Sequence, residues 1–95
     1  MSRAVVDPAE LRLPSSRSTG ADPVKLQRQI AMYGASTVGM PPPEVFECSD
    51  GTFLLWNGVT RASRIAKLAP GTLIQVEVIG RIKRTRSDPT IGDLI

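Results

Sequence analysis

The chain has ninety-five residues, with twelve Lys and Arg against nine Asp and Glu (net charge +3), no histidine and one cysteine, Cys48. That length makes one domain near the lower limit for a self-sufficient core. Without histidine the commonest general base and metal ligand are missing, and a single Cys excludes an internal disulfide, the usual zinc ligand sets and a Cys–His nucleophile pair.

No stretch approaches the roughly 20 apolar residues that span a bilayer. The segment Met1 to Asp7 lacks the apolar run of a signal peptide. The expectation is therefore a cytoplasmic protein with no membrane partner and with Cys48 as a small buried hydrophobe. Any catalysis falls to carboxylates, Lys, Tyr, Arg or a cofactor. The mild positive charge favours anionic partners. It is densest near the C-terminus, in Arg81, Lys83, Arg84 and Arg86.

In chain order, Ala4-Val5-Val6 and Leu11-Arg12-Leu13 are two short apolar patches. Pro8 between them argues against one continuous strand, so one short strand is expected before Pro14. Pro14 to Gly20 is rich in Ser, Arg and Gly and reads as a loop. Asp22 then suits a helix N-cap and Pro23 the first helical position. Leu26, Ile30 and Tyr33 form an apolar stripe, and Gly34 is a natural stop, which predicts a helix over Pro23–Tyr33. Pro41-Pro42-Pro43 stiffens the following connection. Glu44–Cys48 alternates polar and apolar residues, Ser49-Asp50-Gly51 is a turn signal, and Thr52–Trp56 is the returning strand of a hairpin. In this hairpin Trp56 is read as a core or rim aromatic.

Asn57-Gly58 ends that strand, and Val59–Leu68 reads as a second helix. Ala62, Ile65 and Leu68 share one face, while Arg61, Arg64 and Lys67 form a cationic stripe at three-residue spacing. Pro70-Gly71 stops this helix. Leu73–Ile79 is a β-branched strand of central character that closes at Gly80. The fold class expected is a small α/β (α+β) domain with a mixed sheet and two main helices. It occupies residues 1–80, followed by a basic tail over 81–95. The expected core is Leu26, Ile30, Phe53, Leu55, Ile65, Leu68, Ile74, Val76 and Val78.

This order carries Leu26, Ile30 and Tyr33-Gly34, then Pro42-Pro43-Glu44-Val45, Asp50-Gly51 and Asn57-Gly58-Val59-Thr60-Arg61-Ala62. Over roughly residues 5–79 it resembles the ParB N-terminal (ParB/sulfiredoxin-like) domain family. Members of that family show an apolar helix ending in Gly, a Pro-x-x-Val strand start, an Asp-Gly hairpin and a Gly-x-x-Arg turn opening a helix. The resemblance implies that the Gly-x-x-Arg turn, here Gly58 to Arg61, binds nucleotide phosphates, with a nucleotide as the implied cofactor. Where ParB proteins commonly carry Glu-Arg-Arg after the Gly, this chain has Val59-Thr60-Arg61. Sulfiredoxins place their catalytic Cys directly after the Gly, and Val59 in that slot argues against their reaction. The chain shows no helix-turn-helix region of the kind that partition proteins use to read DNA.

The residues give their own reason for a site at this turn. A strand-to-helix turn exposes unpaired backbone N–H groups at the positive end of the helix dipole. Gly58 lets backbone approach an anion, Thr60 can donate a hydroxyl hydrogen bond, and Arg61 can make a bidentate contact. The first expectation is thus a nucleotide or other phosphate-bearing ligand at Asn57, Gly58, Thr60 and Arg61. The second is charge-driven nucleic-acid binding through Arg61, Arg64, Lys67, Arg81, Lys83, Arg84 and Arg86. The third is a nuclease or nucleotide hydrolase built on Glu44, Glu47, Asp50 and Glu77, which requires the strands to bring these carboxylates together. No metal site is expected from spacing.

Overall fold

A computed structural model describes residues 2–83 and 88–95. Four strands, β1 (Ser2–Val6), β2 (Glu44–Cys48), β3 (Phe53–Asn57) and β4 (Ile74–Ile82), form one sheet in the order β1-β4-β2-β3. β1 pairs antiparallel with β4, β4 parallel with β2, and β2 antiparallel with β3. The helices are α1 (Pro23–Tyr33), α2 (Val59–Leu68) and a short α3 (Ile91–Leu94). The mixed α+β architecture and the internal position of β4 are those the sequence predicts.

Local chemistry explains the elements. Asp22 caps α1 by accepting from the Val24 amide at 2.9 Å, and Gly34 stops the helix with φ 56°. In the β2–β3 hairpin the Gly51 amide donates to Cys48 O and the Cys48 amide donates to Thr52 O. Gly51 takes φ +84°, as a three-residue hairpin loop with a left-handed Gly requires. The Thr52 hydroxyl and amide both donate to Asp50 Oδ1, at 2.6 and 3.0 Å.

The core lies between the sheet and α2. Val45, Leu55, Ile74 and Val76 face Val59, Ala62, Ile65 and Ala66, and Leu11, Leu13 and Ile91 complete the cluster. Each fully buried side chain of this kind contributes about 1.5–3 kcal/mol. Of the expected core, Leu55, Ile65, Ile74 and Val76 are buried, whereas Leu26, Ile30, Phe53 and Val78 are only half-buried. Leu68, in the last turn of α2, is 39% exposed. No residue of α1 is fully buried, because this helix packs on α2 and not on the sheet. Cys48 is buried and free.

Three sequence expectations are corrected. Gly80 does not close β4, which runs on to Ile82. A Cβ at Gly80 would stand 3.1 Å from Phe46 Cε1, so glycine there makes room for the ring that crosses the strand. Leu11 and Leu13, left out of the expected core, are buried at the sheet edge with Arg12 half-buried between them. The Arg12 amide donates to Phe53 O and its carbonyl accepts from Leu55, which covers the outer side of β3. Nor is the segment from residue 81 onward simply a tail. Arg81 and Ile82 belong to β4, and residues 88–95 return to the core. There Leu13 donates to Pro89 O, Ile91 donates to Leu11 O, and the Ile91 side chain is 2% exposed. Arg84 and Arg86 lie outside the described residues.

Two stability measurements check this account. Ile91→Ala and Leu55→Ala should each cost about 2–5 kcal/mol in urea unfolding, and Leu68→Ala clearly less. A neutral Ile91→Ala would place the C-terminal segment outside the cooperative unit. The Thr52 hydroxyl, followed by the Thr52 amide, holds the Asp50 carboxyl below the ordinary aspartate range. A carboxylate with a depressed pKa in the folded state stabilises above its unfolded pKa and loses that contribution as pH falls through the folded value. The stability gap between the protein and Asp50→Ala should therefore be full above the usual aspartate range and close on acidification.

Candidate functional site

The turn between β3 and α2 is fixed from two sides. Gly58 is left-handed at φ 98°, ψ 24°, and a Cβ on it would stand 2.9 Å from Pro43 Cβ and 2.8 Å from Arg61 Nη2. Only glycine satisfies both the backbone conformation and the close approach. Pro43 is itself anchored, since its carbonyl accepts from the Glu77 amide at 2.8 Å. Register also aligns a polar row across the sheet: Arg3 opposite Glu77, Glu77 opposite Glu44, and Glu44 opposite Asn57. Arg3 Nε lies 3.2 Å from Glu77 Oε2, and Asn57 Nδ2 donates to Glu44 Oε1 at 3.3 Å. Asn57 is thus held against the sheet, with an amide proton turned toward Glu44.

α2 begins without a side-chain cap. Its first internal hydrogen bond runs from the Ala62 amide to Gly58 O, so the amides of Val59, Thr60 and Arg61 precede the helical ladder. These residues line a cleft of about 420 Å³ that also receives Ser16 and Arg17 from the loop before α1, and Lys25 and Gln29 from α1. Arg17, Lys25 and Arg61 line this cleft, and among the described residues no Asp or Glu does. Arg61 is half-buried, its guanidinium folded back over Gly58, and its Nε is buried without a hydrogen-bond partner. Trp56, 66% exposed, stands at the rim and meets Phe46 edge-on, with ring centroids 5.7 Å apart. Trp56 is therefore a rim residue.

Four of the predicted residues, Asn57, Gly58, Thr60 and Arg61, line this cleft together. Arg17 and Lys25 were not anticipated. Lys25 had a legible signal, because it occupies the first turn of α1, where a cation opposes the helix dipole. Arg17 had none, since a loop residue carries no periodicity.

The proposed cationic stripe is not a surface. Arg64 is 2% exposed, so its reading as a nucleic-acid contact is corrected. Nη1 donates to Gly34 O at 2.6 Å and to Ser36 O at 2.8 Å, and the guanidinium lies 5.4 Å from the centroid of the Tyr33 ring. The negative end of the α1 dipole and the aromatic face offset its charge. Lys67 is exposed, but it lies about 9 Å further along α2 than Arg61 and borders a different depression. Arg81, paired with Glu47 at 3.1 Å, and Lys83 lie at the end of β4, away from both.

Of the four carboxylates weighed for catalysis, Glu44 and Glu77 do stand side by side on paired strands. Asn57 engages Glu44 and Arg3 engages Glu77, while Glu47 pairs with Arg81 and Asp50 serves its own turn. Among the described residues, no three His, Cys, Asp or Glu side chains cluster in a metal-binding arrangement. No helix among the described residues is long and apolar enough to cross a membrane. No protein-family model matches the chain, and neither a curated protein nor a solved structure does.

Gly58→Ala combines a left-handed residue with two sub-3 Å contacts, and should destabilise the fold by roughly 2–4 kcal/mol in chemical unfolding. A loss within about 0.5 kcal/mol would mean that the turn relaxes freely and does not fix the start of α2.

Proposed function

We propose that this domain binds a phosphate-bearing ligand, a nucleotide being the form that fits best, in the cleft at the N-terminus of α2. The observation that carries this reading is a cleft in which Arg17, Lys25 and Arg61 meet the first turn of α2 without a single acidic side chain among the described residues. A phosphate there accepts from backbone N–H groups at a positive helix end, from the Thr60 hydroxyl and from the Arg61 guanidinium. Gly58 admits the Arg61 guanidinium and Pro43 at close range and so fixes where that guanidinium sits at the turn. Trp56 at the rim offers a flat apolar face to a ring attached to that phosphate. The resemblance of the Gly58–Arg61 turn to the phosphate-binding turn of ParB N-terminal domains points to the same ligand class. The work of this site is binding.

Charge-driven nucleic-acid binding finds less support, because Arg64 is buried and Lys67, Arg81 and Lys83 are dispersed around the fold.

Calorimetric titration with pyrophosphate and with nucleoside triphosphates tests the proposal. Arg61→Ala should weaken binding by about 1.5–3 kcal/mol, the loss expected of a charge-assisted hydrogen bond. Lys25→Ala should give a smaller loss of about 0.2–1 kcal/mol that fades with added salt. Lys67→Ala should leave affinity unchanged. Equal affinity of Arg61→Ala and the unaltered protein for every phosphate ligand contradicts the reading.

A further inference from the structure

On the other side of Arg61 lies a second, separate cavity of about 250 Å³, between the C-terminal half of α1 and α2. Arg61 and Arg64 line it, together with Gln29, Tyr33, Met40 and Pro41, and among the described residues no acidic side chain does. Arg64 is the unusual member. It is 2% exposed, yet it belongs to neither of the ion pairs found among the described residues, Arg3–Glu77 and Arg81–Glu47. A buried guanidinium is normally paired with a carboxylate or fully hydrogen-bonded. Here its donors are used unevenly. Nη1 is saturated by Gly34 O and Ser36 O, Nη2 meets only the thioether of Met40 at 3.3 Å, and Nε is buried without a partner.

Nε and Nη2 form one edge of the guanidinium plane, the edge that takes a carboxylate side-on with two parallel hydrogen bonds. A thioether is a weak acceptor on a flexible side chain, and it covers that edge without satisfying it. Met40 is half-buried at the end of a loop whose preceding residue, Gly39, has φ +70° with no atom within 4 Å of its Cβ position. Met40 also packs against the hydrophobic core, so its release from Arg64 exchanges that contact for the apolar body of an incoming acid. Apart from Gln29, the remaining walls, Tyr33, Val38 and Pro41 beside the Met40 side chain, are largely apolar. That suits the body of an organic acid better than a strongly hydrated phosphate.

We propose that this cavity binds the carboxylate of a small organic acid, held side-on by the Nε–Nη2 edge of Arg64 once the Met40 thioether swings off it, with the acid's apolar body against Tyr33. The site is distinct from the phosphate cleft and shares only Arg61 and Gln29 with it. Arg61 supplies a second positive charge three residues along α2.

Benzoate and its neutral isostere benzamide, titrated into the full chain and followed by amide NMR, separate this site from the cleft. Benzoate should produce saturable shifts at Tyr33, Gly39 and Met40 with a Kd of order 1 mM or tighter, and benzamide should bind at least about tenfold more weakly. Arg64→Gln should abolish the benzoate response. Because it also frees two carbonyls, the surface variant Tyr33→Ala carries the test on a folded protein, with benzoate weakened at least about fivefold. Met40→Leu, which removes the thioether and keeps the volume, should bind benzoate as well or better. Benzamide binding as tightly as benzoate overturns the proposal. So do benzoate shifts centred on Gly58–Thr60, the absence of any saturable response, or undiminished affinity in Tyr33→Ala.

Discussion

Gly58 lies against Pro43 with no room for a Cβ, and the geometry of the candidate site follows from that contact. Pro43 is held by the Glu77 amide of the central strand, so the close approach ties the start of α2 directly to the middle of the sheet. The left-handed backbone at Gly58 turns the chain abruptly from strand to helix. As a result, the first, uncapped turn of α2 lines a cleft. Arg61, one turn later, folds back over the same glycine. A bulkier residue would displace the arginine, the proline or both.

Arg61 and Arg64 stand three residues apart on one helix, and their surroundings give them different roles. Arg61 stands between two cavities and keeps an unpartnered Nε beside a glycine. Arg64 is drawn under the loop after α1, where two carbonyls at the negative end of that helix and the Tyr33 ring receive it. Its first contribution is structural, since it ties the α1 C-terminus to α2. α1 has no fully buried residue, so a charged clasp stands in for the apolar packing that α2 enjoys on the sheet. Glu44 reaches the edge of the cleft through Asn57, whose side-chain amide it holds, while Glu77 lies one strand further along the polar row and is engaged by Arg3.

Much of this was legible in the residues. The hairpin, both long helices with their Asp22 and Gly34 boundaries, and the β-branched central strand follow from periodicity and turn chemistry. The Gly58–Arg61 turn could be picked out because glycine, hydroxyl and arginine coincide at a strand-to-helix junction. What escaped was set by tertiary structure. Leu11 and Leu13 are too short a patch to declare an edge cover, and Ile91 follows a basic stretch that hides its return to the core. Spacing alone placed Arg64 with Arg61 and Lys67 on a solvated stripe. It could not show that the loop over residues 34–40 would close over one of the three. Lys25 and Arg17 reach the cleft only because α1 and the loop before it pack beside α2.

The central proposal is that phosphate binding by this chain is concentrated at one cleft and is not spread over its basic surface. Amide NMR during titration with pyrophosphate at two salt concentrations tests it most directly. The account predicts saturable shifts centred on Gly58, Val59, Thr60 and Arg61, with smaller ones at Arg17 and Lys25, and the same residues responding at the higher salt. Shifts distributed over Lys67, Arg81 and Lys83 that vanish together as salt is raised, with Gly58–Arg61 unmoved, would contradict it.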